Sequence, residues 1–214
     1  LQTQATSVDS SAAAAPTRMD PRVVYAGTAN RIVVATPRID GRIVVDGQLT
    51  EPHWAHAAVL SGFSQYNPVD GRPAQDSTEV LVWYGPDAMY FGVRAYAPEG
   101  TVRCTLADRD KIQNDDHIQF ILDTYNDNRR AFVFAVNPLG IQSDGVRSEG
   151  GGGGGRIMML LGGGGGVGMG SFSRAGLSNA DLSQDMIWQS KGRITDHGYE
   201  IEVRIPFKAV RFDP

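Results

Sequence analysis

Two glutamates, Glu200 and Glu202, stand two residues apart in the run GYEIEVRIPF (198 to 207). On a strand that spacing puts both carboxylates on one face, the raw material of paired-carboxylate glycoside hydrolysis. Arg204 follows on the same face, and the charged outer side of an amphipathic strand accounts for all three without a reaction. Other reacting constellations fall short sooner. There is no Ser in a G-x-S-x-G elbow, no H-E-x-x-H and no GK[ST] to cradle a phosphate, and Asp144 and His197 have no third member that spacing can supply. The expectation is a protein that is not an enzyme.

Binding chemistry has more material. The stretch DRDKIQNDDH (108 to 117) gathers Asp108, Asp110, Asp115 and Asp116, oxygens of the kind a hard cation wants. It lacks the Gly and Glu positions of an EF-hand loop, and a solvated loop with Arg109 and Lys111 pairing to its acids is the simpler reading. Of the three tryptophans, Trp54 sits beside Ala55, Ala57 and Ala58 and reads as a core plug, while Trp83 alternates with Val82 and Tyr84 and reads as cover for the opposite sheet face. Trp188, followed by Gln189, Ser190 and Lys191, is the exposed candidate for a stacking platform.

The elements that would position these groups are strands. Short β-branched and aromatic runs recur at 31 to 37, 42 to 47, 77 to 85, 88 to 97, 117 to 125, 130 to 138, 187 to 195 and 198 to 207, cut by Gly, Pro, Asp and Asn. Val80, Val82 and Tyr84 fall on one face, and Tyr199, Ile201, Val203 and Ile205 oppose Glu200, Glu202 and Arg204. Gly85-Pro86-Asp87 makes a tight hairpin turn, and Thr50-Glu51-Pro52 opens one helical turn with Thr50 as its cap. The pattern predicts an all-β, antiparallel β-sandwich, jelly-roll-like, over 23 to 214. An extended N-terminal arm of Ser, Ala and Thr over 1 to 22 precedes it, and a Gly-rich insertion over 148 to 181 interrupts it. A net charge of −4 with Lys and Arg scattered singly offers no face for nucleic acid, and the one cysteine, Cys104, forms no internal disulfide.

Four separated stretches, VVDGQLTEPHW (44 to 54), FSQYNPVDGRPAQDSTEVLVWYGPDAMYFGVRAY (63 to 96), DDHIQFILDTYNDNRRAFVFAVNPLGIQSDG (115 to 145) and GYEIEVRIPFKAVRF (198 to 212), together resemble the family 9 carbohydrate-binding-module-like domain. The form they resemble is found at the N-terminus of bacterial envelope proteins that continue into an outer-membrane barrel. Thr50 stands where that family usually has Asp, and the long glycine-rich segment replaces a short polar loop. The resemblance implies a β-sandwich and sugar recognition, here by Trp188 and Tyr125 stacking on a glycan. Relatives with this fold hold structural calcium, which implies a site from Asp123, Asp127 or Asp144 and no other cofactor.

The insertion suggests a second kind of partner. Between the glycine runs 150 to 155 and 162 to 166 lie Ile157, Met158, Met159, Leu160 and Leu161, an apolar block too short to span a membrane. Such a block on a glycine tether is a liability in water unless it is covered. The N-terminal sequence reads as that of an exported chain after signal-peptide removal, which places it in the periplasm and peripheral to a membrane. The leading functional expectation is thus a non-catalytic accessory subunit. It would dock by residues 157 to 161 onto subunits of a larger membrane complex, such as a photosynthetic or other energy-converting one. The alternative is a carbohydrate-binding module recognising a glycan of the envelope or environment.

Overall fold

The computed structural model describes residues 23–26, 33–65, 71–126, 129–148 and 180–210. The arm over 1 to 22, the apolar block 157 to 161 and Asp127 lie outside the described residues. Twelve strands are described: β1 (Val24–Ala26), β2 (Ala58–Ser61), β3 (Ser64–Gln65), β4 (Arg72–Pro73), β5 (Thr78–Tyr84), β6 (Ala88–Tyr96), β7 (Ile118–Leu122), β8 (Arg130–Val136), β9 (Gln142–Ser148), β10 (Ala180–Asp181), β11 (Gln189–Thr195) and β12 (Gly198–Pro206). They form a six-stranded sheet in the order β1-β2-β5-β6-β12-β11, a four-stranded sheet in the order β10-β9-β8-β7, and the small β3-β4 pair. All pairings are antiparallel except β1 with β2. None of the described helices is long and apolar enough to cross a membrane.

The alternation in the sequence decides which side chains meet. Val80 and Val82 of β5, Phe91, Val93 and Ala95 of β6, and Tyr199, Ile201, Val203 and Ile205 of β12 face Ile118, Phe120 and Leu122 of β7 and Phe132, Phe134 and Val136 of β8. Phe91 and Phe120 close the gap between the sheets with ring centroids 4.5 Å apart. Each such side chain contributes roughly 1.5 to 3 kcal/mol on full burial, so this one layer is the main source of stability. The hairpin at Gly85-Pro86-Asp87 forms as expected, with the Gly85 N–H donating to Ala88 O at 2.9 Å.

Two local expectations are corrected. The runs at 31 to 37 and 42 to 47 are not strands over their described residues; the segment is extended, and Arg38 forms a single bridge to Tyr84. β-branched composition fits a pleated surface, but here Val34 packs with the core between the sheets while Ile39 and Ile43 lie on the outer face of the six-stranded sheet. The helical turn is a 3₁₀ turn, Pro52–His56, whose cap position is held by Glu51 and not Thr50, without a capping side-chain bond.

Candidate functional site

The outer face of the six-stranded sheet divides into two halves, and the strand registers define them row by row. Trp83, Tyr90 and Arg204 are neighbours across β5, β6 and β12, followed by the row Leu81, Gly92, Glu202 and Lys191. Ile39, Ile43, Leu49, Trp54 and Ala57 from the preceding segment pack with this half and make a second apolar cluster with Leu81, Trp83 and Tyr90. Gly92 permits the cover: a Cβ there would stand 2.7 Å from Leu49 Cδ2 and 3.1 Å from Trp54. Trp54, 2% exposed, is the core plug the sequence predicts, and Trp83 covers the outer face as expected, stacking on Tyr90 at 3.9 Å.

The cover is fastened by Glu202. One carboxylate oxygen accepts the backbone N–H groups of Asp46 at 2.8 Å and Gly47 at 2.9 Å, and the other accepts the Trp54 indole N–H at 3.1 Å. Glu202 is 0% exposed. Burial drives its carboxyl up to about 7; the N–H donors of Gly47, Asp46 and Trp54 pull the other way, while the carboxylate of Glu51 adds to the rise. The sequence put Glu202 with Glu200 and Arg204 on a solvated face. The face is right, but solvation is not, because the 46 to 54 loop closes over it. The carboxylates of Asp46, Glu51 and Glu202 come within 4.8 Å of one another. Both Glu202 oxygens hold N–H groups and Asp46 bonds Gln48, whereas the buried Glu51 Oε2 has no hydrogen-bond partner among the described residues; the clasp is made by Glu202.

Beyond the clasp the face is open. The next row runs Glu79, Arg94, Glu200 and Arg193 across β5, β6, β12 and β11, alternating in charge. Glu200 takes Arg94 Nε on one oxygen at 3.3 Å and Arg193 on the other at 2.6 Å, and Glu79 lies 3.6 Å from Arg94. The last row is Tyr96, Gly198 and Thr195. Beside this row lies a cleft of about 420 Å³, lined by Arg94, Tyr96, Arg193, Thr195, His197 and Glu200 among others. Tyr96 is 38% exposed, so an aromatic ring is offered at the rim. Exposed aromatic surface beside fixed donors and acceptors is the equipment of a small-molecule site, and the volume lies within the usual range.

The residues expected from sequence fall elsewhere. Trp188 is 5% exposed, packed edge-on against Phe134 at 5.3 Å, and donates its indole N–H to Asp144 at 3.1 Å. Its ring is core and presents no platform, because the polar residues after it mark an edge strand whose alternate positions still face inward. Tyr125 is half-buried in the segment after β7. Asp144 is buried, accepts Arg109, the Met186 N–H at 2.6 Å and the Trp188 indole, and so anchors the return of the chain at 186 to 188. Oxygens that hold a guanidinium and two N–H groups do not fit a calcium ligand. Asp123 is half-buried just beyond β7.

The acidic stretch is partly a solvated loop, as expected for Asp108 with Lys111 at 2.9 Å. Its far end turns inward. Asp115 binds Thr105 and the Asn137 amide, and buried His117 bonds the Asp115 carbonyl through Nδ1 at 2.8 Å. Burial holds the His117 pKa below its usual value, so the imidazole is neutral and Nε2 accepts from Gln119 at 2.9 Å. The same side of the four-stranded sheet is closed by Ile112, Ile121, Val133 and Ala135, packed with Ile141 and Leu182.

Sequence reasoning missed Arg94, Tyr96, Arg193 and Thr195 as a group. The alternation that sends Glu200 outward was legible, and Arg94 and Tyr96 show it too in AMYFGVRAYA. Nothing local states that β6 and β11 flank β12, so the row could not be assembled.

No protein-family model matches the chain, and no curated protein matches it by sequence. Solved structures do. A family 9 carbohydrate-binding module from Caldicellulosiruptor kristjanssonii matches in two structures, both at 14% identity. In the one solved with cellotriose, 87% of this chain and 67% of that chain are covered at a TM-score of 0.46. In the one solved with glucose, coverage is 91% and 71% at a TM-score of 0.48. A provisionally assigned carbohydrate-binding protein from Bacteroides uniformis matches at 11% identity over 81% of this chain and 72% of that chain, with a TM-score of 0.51. The chain shares its two-sheet β fold with the Bacteroides uniformis structure.

Proposed function

We propose that this chain is a non-catalytic glycan-binding module whose contact surface is the open half of the six-stranded sheet. The observation that carries the reading is the cleft: the exposed ring of Tyr96 beside the Arg94–Glu200–Arg193 ladder. A sugar ring has an apolar face for an aromatic side chain and a belt of hydroxyls for fixed polar groups, and the cleft supplies both. The same geometry speaks against glycoside hydrolysis. Glu200 lies in the cleft, whereas Glu202 is sealed under the 46 to 54 loop, so the two carboxylates do not address one substrate.

An exported, periplasmic module would meet such glycans in the envelope or the environment. The accessory-subunit reading rests on residues 157 to 161, outside the described residues, and no described feature favours it over glycan binding.

Calorimetric titration with a panel of soluble oligosaccharides tests the proposal. At least one should bind, and Tyr96→Ala should weaken that binding about tenfold or more, equivalent to about 1.4 kcal/mol. A panel without a binder, or binding untouched by Tyr96→Ala, would count against it.

A further inference from the structure

The hydrogen-bonding capacity left in the cleft is unequal. Glu200 is the carboxylate at its centre, and each of its oxygens already accepts an arginine N–H. Its side chain is 19% exposed, whereas those of Arg94 and Arg193 are 28% and 47% exposed. Around Glu200 the guanidinium groups are thus the more exposed partners, Arg193 most of all; Glu79, at the far end of the row and outside the cleft lining, is 36% exposed. A guanidinium has five N–H donors in a rigid plane and no acceptor, and a single N–H of Arg193 is spent on Glu200. Thr195 adds a hydroxyl able to donate, and Asp196 in the β11–β12 turn is the remaining carboxylate of the lining. An occupant that matches this inventory brings acceptors.

Resting on the glycan-binding reading, we infer that the cleft selects acidic glycans, with the carboxylate of a uronic acid residue held by Arg193 and its ring lying against Tyr96. A carboxylate meets a guanidinium with two parallel charge-assisted bonds, which a neutral hydroxymethyl group at the same ring position cannot reproduce. The partly desolvated setting strengthens that pair relative to one in open water. Glu200 acts as a positioning residue: by bonding both arginines at once it fixes where their unused N–H groups stand.

The experiment is calorimetric titration of the full chain with an oligogalacturonate and with a neutral cello-oligosaccharide of equal length, each at low and high salt. The acidic ligand should bind about tenfold tighter or more, equivalent to about 1.4 kcal/mol. Its affinity should fall as salt is raised, while that of the neutral ligand should not. Arg193→Gln, on an edge strand and half exposed, should erase the preference while leaving the melting temperature nearly unchanged. Equal or tighter binding of the neutral ligand, or a preference that survives Arg193→Gln, would overturn the inference and leave the glycan-binding reading standing. If neither ligand nor any other glycan binds, both fall together.

Discussion

Replacing Glu202 by glutamine tests whether a buried carboxyl clasps the 46 to 54 loop at a cost that depends on pH. The carboxyl is driven from 4.5 up to about 7, with burial the largest cause. That displacement corresponds to on the order of 3 kcal/mol between the protonated and ionised forms. The sign follows from where the proton is held more tightly. The native state binds it with the raised pKa, so this contribution to stability is full below about pH 4.5, is lost progressively as pH rises through about 7, and is flat beyond. Glutamine does not titrate, keeps one acceptor oxygen and turns an NH₂ toward groups that are themselves donors, the Asp46 and Gly47 amides or the Trp54 indole. At pH 4.5 the native carboxyl carries an O–H of its own among these donors, so the glutamine NH₂ should cost at most about 1 to 3 kcal/mol relative to it there, and the gap should then change with pH as that proton is lost. Urea denaturation of both proteins from pH 4.5 to 8 isolates that difference, because Asp116 and His117, also displaced by burial, titrate in both. The advantage of the native protein should shrink by up to on the order of 3 kcal/mol between pH 4.5 and 7.5. A constant gap would refute the reasoning. A gap that widens toward alkaline pH would mean that the three N–H donors outweigh desolvation and that the clasp works as an anion.

Two further substitutions probe the cover and the node at 186 to 188. Trp54→Phe keeps most of the ring burial but removes the indole donor to Glu202, and should cost about 1.5 to 3 kcal/mol at neutral pH, read from the shift in the urea midpoint; a loss under about 0.5 kcal/mol would show that the bond is immaterial. Asp144→Ala removes one partner of Arg109, which keeps Gln142, the Met186 carbonyl and Asp185, and leaves two buried N–H groups without an acceptor, so it should cost about 2 to 5 kcal/mol in the same assay. A near-neutral Asp144→Ala that instead lost calcium-dependent stabilisation would restore the metal reading of that residue.

Much of the fold was legible because a strand has period two. The alternation of Tyr199, Ile201, Val203 and Ile205 against Glu200, Glu202 and Arg204 names the buried face of β12 without any partner, and Gly-Pro-Asp at 85 to 87 closes a hairpin through backbone constraints carried in three residues. Trp54 among alanines was legible as core for a similar reason. What the alternation cannot say is what lies over the outward face. Glu200 and Glu202 have the same residue type, the same strand and the same direction, yet one lies in an open cleft and the other is sealed. The difference comes from residues some 150 positions earlier, which lie across two rows of the sheet and stop short of the next two. Trp188 shows the converse: its polar neighbours read as surface, but the second sheet brings Phe134 and Asp144 to it and makes it core. Local pattern thus determined which way each side chain points. Burial, and with it the protonation of Glu202 and the assembly of the Arg94–Glu200–Arg193 row beside the cleft, was decided by strand order and by where the covering segment ends, which are long-range contacts that no short window of sequence contains.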